Sequence, residues 1–212
     1  MADNAKHSHA VSLLTDILLR IYVAGAVIFF AVGAFVHFRA DPTRLTLLLM
    51  ALIETITAGL IVCSHRAQRC DWRPLSLLAS YIAMFYFLAL DLAPGNAFVS
   101  EGAGAGLQIA GLLFQLYAKL SLGRSFGVLP ATRRLVTVGA YRWLRHPIYA
   151  GYLIAHIGFL LSNFLLQNLA VLLVLYLAQV VRINREEQIL ATLPGYADYC
   201  KTVRYRLLPG VY

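Results

Sequence analysis

Two short groups of polar and aromatic side chains in the second half of the chain could carry chemistry. The first is a basic stretch, GAYRWLRHPIY, in which Arg145 precedes His146 and Tyr149 follows. A neutral histidine can donate one hydrogen bond and accept another. A tyrosine ring offers its face to an aromatic base or to a cation. These residue types favour a binding site for a small polar ligand.

The second group consists of Arg182, Glu186 and Glu187 in the stretch VRINREEQIL. Arg182 and Glu186 are four positions apart, so they share one face of a helix. A carboxylate can accept an ammonium group, and a guanidinium can hold a carboxylate or a phosphate. If the chemistry of these two groups requires a base, His146 and Glu187 are the candidates.

The composition indicates the setting of these two groups. Of the 212 residues, 60% are hydrophobic and 13% are charged, and the net charge is +8. Soluble domains carry about 25% charged residues, so this composition excludes an ordinary soluble enzyme, a disordered chain and a coiled coil. The basic residues fall between apolar runs rather than on a polar face, which argues against nucleic acid as a partner. An integral membrane protein is therefore expected.

Six apolar runs predict an all-α, polytopic membrane bundle of about six helices. They cover residues 12–36, 45–63, 74–93, 107–122, 149–161 and 165–181. Residues 94–106 are expected to form a turn-rich connection, and residues 123–146 a basic segment that is too polar to span. The short break between the last two runs predicts a tight helical hairpin. The last helix is expected to continue past Val181 until Pro194 and Gly195 stop it.

The distribution of basic residues predicts the orientation. With the N-terminus in the cytoplasm, nearly all Lys and Arg side chains outside the apolar runs lie on the cytoplasmic side, and Arg39 and Arg44 lie on the other. This is the distribution that the positive-inside rule describes. Both termini and the site are therefore predicted to face the cytoplasm. The predicted hairpin would bring the two polar groups side by side on that face.

The two groups together resemble the signature of the isoprenylcysteine carboxyl methyltransferase family, integral membrane enzymes related to the phospholipid methyltransferases. That signature is a Gly-x-Tyr-Arg-x-x-Arg-His-Pro-x-Tyr stretch, then a hairpin, then an arginine ahead of a Glu-Glu pair. The matching residues are Gly139, Tyr141, Arg142, Arg145, His146, Pro147, Tyr149, Arg182, Glu186 and Glu187, followed by Gly195, Tyr196 and Tyr199. The resemblance extends over residues 122–212. It divides the chain into N-terminal membrane helices (1–122) and a methyltransferase-like region (123–212).

The resemblance implies a methyltransferase with S-adenosyl-L-methionine as methyl donor. It also implies a lipophilic or membrane-delivered substrate, of which the carboxylate of an isoprenylcysteine-type compound is favoured over a thiol, amine or hydroxyl. The cofactor contacts that it implies are Arg134, Leu135, Val136, Tyr141, His146, Pro147, Ile148, Tyr149 and Glu186. Arg182 is the implied substrate contact, and Arg182 and His146 are the implied catalytic residues. The lipid bilayer is the other expected partner, and the sequence does not specify an oligomeric state.

Two other functions are compatible with the sequence. Some membrane reductases of sterol-type double bonds have a similar C-terminal architecture and use a nicotinamide cofactor. A non-enzymatic membrane interaction or transport protein would account for ionisable residues in the apolar runs, which are functional candidates by default. These residues are Asp16, Arg20, Glu54 and Asp91. We expect structural pairs at these positions, such as Asp16 with Arg20, or contacts in an oligomer.

Three more aromatic or imidazole side chains are expected to be structural. Tyr196 and Tyr199 are of the type that anchors a chain at the membrane interface. His156 lies within the fifth apolar run, and histidine is a common axial ligand of haem. The histidines of this chain fall on different sides of the predicted topology, so a haem site is not expected.

Overall fold

The computed structural model describes residues 2–62, 71, 73–122 and 135–210, with side chains described for 18, 20–59, 71, 73–122 and 135–210. Over these residues the fold is all-α, as predicted, with seven α-helices and two 3-10 turns. The helices are α1 (Ala2–Ala40), α2 (Leu45–Val62), α3 (Pro74–Phe85), α4 (Glu101–Leu122), α5 (Pro147–Ser162), α6 (Leu166–Leu190) and α7 (Tyr196–Thr202). The 3-10 turns are Tyr86–Ala89 and Gly139–Arg142.

The helices present an apolar outer surface of the kind that lipid covers. Phe29 on α1 is 75% exposed and Leu120 on α4 is 79% exposed, although both are large apolar side chains. Among the described residues, three helical segments are long and apolar enough to cross a membrane, namely Arg20–Ala40, α4 and α6. The apolar helices α2, α3 and α5 are shorter. Within the described residues each of the six predicted apolar runs is helical over most of its length. A helix pairs its backbone polar groups within itself, as a lipid bilayer requires.

Two predicted element boundaries are wrong. The turn-rich connection was expected to reach residue 106, but α4 begins at Glu101 and includes the glycine-rich start of that run. Glycine is a poor helix former, and here packing against a neighbouring helix overrides that propensity. The third helix was expected to reach Ala93, but the α-helix ends at Phe85 and a 3-10 turn follows. Asp91 therefore lies in the connection after this turn rather than in a helix.

Glycines hold α5 close against α4. A Cβ atom added at Gly111 would lie 2.6 Å from the backbone nitrogen of Ala155 and 2.6 Å from the carbonyl oxygen of Gly151. One added at Gly158 would lie 2.6 Å from the carbonyl oxygen of Gly104. Small residues at these positions let the two backbones approach, as in membrane helix pairs generally. This contact fixes α5, the helix on which the candidate site is built.

The predicted hairpin between the last two membrane helices is confirmed. Helix α5 ends at Ser162 and α6 begins at Leu166. Asn163, in the connection between them, is hydrogen-bonded to residues near the start of α2. The Oδ1 atom of Asn163 accepts a hydrogen bond of 2.8 Å from Arg44, and its Nδ2 atom donates one of 2.7 Å to Thr46. Helix α6 then continues well past Val181, as predicted, and carries polar residues at its far end.

Candidate functional site

The site lies where the start of α5 meets the last turns of α6. Pro147 is the first residue of α5, a position where its missing N–H leaves no intrahelical hydrogen bond unmade. His146 therefore lies immediately before the helix, and Tyr149 lies in its first turn. The hydroxyl of Tyr149 donates a hydrogen bond of 2.5 Å to Oε1 of Glu186 on α6. The two sequence groups are thus joined directly, as the predicted hairpin requires.

The imidazole ring of His146 lies between the two carboxylates of the acidic pair. Its Nδ1 atom is 3.5 Å from Oε2 of Glu186, and its Nε2 atom is 3.4 Å from Oε1 of Glu187. Burial by itself lowers the pKa of His146, but the hydrogen bonds and negative charges of Glu186 and Glu187 outweigh it, and the net pKa is raised. The two carboxylates therefore favour the protonated ring, in which both nitrogens donate.

Arg182 faces the same carboxylate from one turn earlier on α6. Its Nη2 atom is 3.8 Å from Oε1 of Glu186, and its guanidinium carbon is 5.5 Å from the ring centre of Tyr149. The spacing of four positions that the sequence shows is thus realised as an ion pair on one helix face. Arg182 is a buried cation, so an anionic group brought to the site would meet a poorly solvated charge.

Tyr141 belongs to the 3-10 turn that leads into α5. Gly139, at the start of this turn, has φ +62°, a conformation that favours glycine, and a Cβ atom there would collide with Ser121 at the end of α4. The Ser121 hydroxyl accepts a hydrogen bond of 3.2 Å from the backbone of Ala140. Burial, and after it the charge of Glu186, raises the pKa of Tyr141 well above its ordinary value.

The other predicted cofactor contacts are distributed around this cluster. Pro147 is buried, and Ile148 is half-buried beside it. Leu135 is half-buried and packs against Tyr196, Tyr199 and Val203, and Val136 follows it along the chain. The prediction for Arg134 lies outside the described residues, as does the pairing of Asp16 with Arg20, because the side chain of Asp16 is not described.

The residues present suit a ligand that combines a cation with an aromatic base. The side chain of Glu186 is 24% exposed and can accept hydrogen bonds from an ammonium group. The Tyr149 hydroxyl donates to that carboxylate, and the rings of Tyr149 and Tyr141 can pack on an adenine or face a sulfonium. Arg182 adds a cation for an anionic group. The donor set therefore fits S-adenosyl-L-methionine, and among the described residues no group of three or more His, Cys, Asp or Glu side chains is arranged to hold a metal ion.

Arg206 completes the site and was not singled out from the sequence, and the structure also gives Arg145, Glu187 and Tyr199 contacts that the sequence did not predict. The carboxylate of Glu187 is 2.8 Å from Nη1 of Arg145 and 2.6 Å from Nη2 of Arg206. Tyr199 donates a hydrogen bond of 2.7 Å to the carbonyl oxygen of Tyr141. Tyr196 and Tyr199 are both buried, so the expectation that they anchor the chain at the membrane interface is wrong.

A second buried polar cluster lies within the apolar part of the bundle. The hydroxyl of Tyr86 donates to Oε1 of Glu54 at 2.7 Å and lies 2.6 Å from Nε2 of His156. The hydroxyl of Tyr176 lies 2.7 Å from Nδ1 of the same histidine. Glu54 and His156 therefore belong to one hydrogen-bonded network that joins α2, α5 and α6 with the turn after α3. Asp91 lies elsewhere, where its backbone N–H donates to the side chain of Asn168 at 2.8 Å.

Residues 104–192 match the family model of the isoprenylcysteine carboxyl methyltransferase (ICMT) family. The resemblance to this family is confirmed. The protein-S-isoprenylcysteine O-methyltransferase of Schizosaccharomyces pombe is 34% identical over 114 residues, which are 50% of this chain and 48% of that protein. The chain thus spans about half the length of this relative in the aligned region.

The ICMT segment starts earlier than the sequence resemblance indicated. It was expected to begin at residue 122, but it begins at Gly104 and includes nearly all of α4. The segment therefore contains both members of each close glycine contact between α4 and α5. It also contains His146, Tyr149, Arg182 and the acidic pair, so the packing that positions α5 and the cluster at its end belong to one matched unit.

Proposed function

We propose that this chain is an S-adenosyl-L-methionine-dependent methyltransferase that acts on a lipophilic, membrane-delivered substrate. The observation that carries the proposal is the cluster of His146, Tyr149, Arg182 and Glu186 at the junction of α5 and α6. These side chains come from two separate stretches of the sequence, and they converge inside the segment that matches the ICMT family.

Each residue has a role that follows from its chemistry. When bound, S-adenosyl-L-methionine supplies an electrophilic methyl group on a sulfonium. Glu186 would accept the ammonium group of its amino-acid part, with Tyr149 and His146 fixing the carboxylate. The rings of Tyr149 and Tyr141 would line the adenine or the sulfonium. Leu135, Val136, Pro147, Ile148 and Arg134 are the remaining proposed contacts, taken from the family pattern.

Arg182 is proposed to bind the methyl acceptor. It is a buried guanidinium within reach of Glu186, so an acceptor carboxylate placed against it would also lie near the methyl donor. Such an acceptor needs no base, and the cluster accordingly does more to align than to move protons. The relative's name indicates a prenylated cysteine as its substrate. We therefore propose the carboxylate of an isoprenylcysteine-type compound as the first acceptor to test.

We further propose that both termini and the site face the cytoplasm. The site gathers Arg145, Arg182 and Arg206 at one end of the bundle, which the positive-inside rule assigns to the cytoplasmic side. In this arrangement residues 1–122 form the membrane scaffold and the lipid-side entry for the substrate. Residues 123–212 then form the methyltransferase-like region.

Binding of the cofactor product tests the proposal first. The purified full chain in lipid nanodiscs should be stabilised against heat by S-adenosylhomocysteine, and Glu186→Ala and Tyr149→Ala should abolish that shift. Tyr81→Ala is the matched control, because Tyr81 lies exposed on α3. Stabilisation by NADPH but not by S-adenosylhomocysteine would favour a nicotinamide-dependent reductase instead. Stabilisation by neither compound would overturn the proposal.

Transfer of a labelled methyl group identifies the acceptor. We expect incorporation into an S-prenylated cysteine with a free carboxylate and none into its amide. Incorporation only into a lipid amine or a small thiol would keep the methyltransferase assignment and reject the isoprenylcysteine-type acceptor. Arg182→Ala should reduce transfer more than it reduces binding of S-adenosylhomocysteine, because Arg182 is assigned to the acceptor.

A further inference from the structure

A segment near the C-terminal end of the described residues borders the site. Residues 203–208, which we call the C-terminal strap, run alongside the entry to α5. The backbone N–H groups of Arg145 and His146 donate to the carbonyl oxygens of Tyr205 and Arg206 at 3.0 and 2.9 Å. Leu207 of the strap is buried against Tyr149, Leu144, Ala150 and Ile183. The strap is therefore hydrogen-bonded to Arg145 and His146, the two residues that precede α5.

One side chain of the strap reaches across to α6. The Nη2 atom of Arg206 lies 2.6 Å from Oε2 of Glu187, and the Nη1 atom of Arg145 lies 2.8 Å from Oε1 of the same carboxylate. Arg145 is itself tied to the strap, since its Nη2 atom donates a hydrogen bond of 3.0 Å to the carbonyl oxygen of Arg204. Both oxygens of Glu187 are thus held by guanidinium groups.

The two carboxylates of the acidic pair differ in their exposure and in their contacts with arginine. The side chain of Glu187 is 9% exposed, whereas that of Glu186 is 24% exposed. Glu186 accepts a hydrogen bond of 2.5 Å from the uncharged hydroxyl of Tyr149. Arg182, the arginine paired with Glu186, is 3.8 Å away, farther than either arginine is from Glu187. Charge-assisted hydrogen bonds at about 2.7–2.9 Å are strong, so Glu187 is the member less able to exchange its partners for a ligand.

We propose that Arg206 is a positioning residue for the cofactor site. Together with Arg145 it fixes Glu187, and Glu187 in turn holds the His146 ring against Glu186. Glu186 is then the one member of the pair that is left to receive a ligand cation. The role of Glu186 toward a ligand rests on the proposed function, whereas the effect of Arg206 on His146 does not.

The proposal predicts a change in the titration of His146. This ring faces Glu186 and Glu187 on α6 and Tyr149 on α5, and Arg145 precedes it on the chain. Arg206 lies beyond Glu187 on the strap and compensates its negative charge. Without that compensation the carboxylate attracts a proton on His146 more strongly, so the pKa of His146 should rise further.

The experiment compares Arg206→Ala and Arg206→Lys with Arg204→Ala in the full chain. Arg204 is the matched control, because it lies exposed on the same strap two positions earlier. His146 is followed by nuclear magnetic resonance in ligand-free protein, with His146→Asn assigning its signal. Arg206→Ala should move the His146 titration to higher pH, Arg206→Lys should restore it toward wild type, and Arg204→Ala should leave it unchanged.

Affinity for S-adenosylhomocysteine is the second readout. Arg206→Ala should weaken binding about ten- to hundredfold, the size expected when a hydrogen bond to a charged group in the site is lost. Arg206→Lys keeps the charge but not the fork of donors, and should lie between Arg206→Ala and wild type. If Arg206→Ala fails to fold, the lysine variant and Arg206→Gln carry the same measurements.

The outcomes separate this inference from the proposed function. An unchanged His146 titration in Arg206→Ala, or an equal change in Arg204→Ala, would overturn the positioning role. In another outcome the wild-type chain fails to bind S-adenosylhomocysteine while Arg206→Ala still moves the His146 titration to higher pH. That result would reject the proposed function and leave the role of Arg206 standing.

Discussion

Two buried histidines ten positions apart on the chain show how one helix supports two different polar environments. His146 lies just before α5 and His156 lies within it, and each has both ring nitrogens engaged. The partners of His146 are two carboxylates. The partners of His156 are the hydroxyls of Tyr86 and Tyr176. The same side chain is thus surrounded by charge at the helix end and by neutral phenols in the apolar interior.

The difference indicates which of the two clusters can work on a ligand. In the interior a phenol satisfies the histidine without bringing a second charge into an apolar region, where an isolated charge is costly. Tyr86 bridges His156 and Glu54, so the two side chains share one buried network. At the helix end charged groups are concentrated and Glu186 keeps partial exposure. A group with partial exposure can exchange its partners for a ligand, whereas the buried network joins helices to one another.

The largest effect is expected from a change that disturbs both clusters at once. Gly111→Ala places a methyl group 2.6 Å from backbone atoms of α5. This helix contains His156 and begins directly after His146, so its shift would displace both histidines. Overpacking of this kind costs about 1–3 kcal/mol or more. We expect a much lower melting temperature in nanodiscs and loss of S-adenosylhomocysteine binding.

Gly106→Ala is the matched control on the same helix. An added Cβ atom there meets nothing within 4 Å, so only the gain in helix propensity of up to about 1 kcal/mol remains. Equal melting temperatures for the two variants would contradict the view that the α4–α5 glycine contact positions the site.

The next effect comes from the same substitution made in each cluster. Glu186→Gln removes the negative charge proposed to hold an ammonium group. Because a hydrogen bond to a charged group contributes about 1.5–3 kcal/mol, the affinity for S-adenosylhomocysteine should fall about ten- to hundredfold. Glu54→Gln keeps an oxygen that can accept from Tyr86 and should leave this affinity unchanged. Isothermal titration on both variants measures the contrast. Equal losses of affinity would remove the distinction between the two clusters.

A smaller effect is expected from opening the interior network. Tyr86→Phe removes the hydroxyl shared by Glu54 and His156, so each loses a partner. Polar contacts of this kind between membrane helices contribute about 1–2 kcal/mol. The free energy of unfolding should fall by that amount, while the affinity of the folded protein for S-adenosylhomocysteine stays at the wild-type value. Tyr81→Phe, on the exposed side of α3, should change neither quantity.

The smallest effect is a pH dependence that only the charged cluster should produce. The pKa of His146 is raised above its ordinary value of 6.5, because Glu186 and Glu187 outweigh the opposing effect of burial. A raised pKa in the folded state means that this contribution to stability is complete below pH 6.5 and is lost as the pH rises through the folded-state pKa. Melting temperatures measured from pH 6 upward should therefore decline. His146→Asn should remove this part of the decline, and a decline of the same size in that variant would assign it to other groups.

Much of the fold and part of the site could be predicted because they depend on local patterns. Runs of apolar residues long enough to cross a bilayer specify helices whatever they pack against. The spacing of Arg182 and Glu186 specifies a shared helix face, and Pro147 specifies a helix start. The hairpin follows from a break too short for any other connection. These features need no knowledge of distant residues.

The parts that could not be predicted depend on contacts between distant residues. The start of α4 at Glu101 follows from glycine packing against α5, although the local sequence favours a turn. The burial of Tyr199 follows from its hydrogen bond to the carbonyl oxygen of Tyr141. No local pattern marks either, because the partner belongs to another element.

The sequence by itself determined that this chain is a helical, membrane-type protein with two motif groups joined by a hairpin, since composition and periodicity are properties of single segments. Only the tertiary structure decided that Arg206 holds Glu187 and that Glu186 keeps partial exposure. It also decided that Glu54 and His156 share a network through Tyr86. The physical reason is that a buried charge or polar group is stabilised by whichever partner reaches it in space, and that partner can come from any part of the chain.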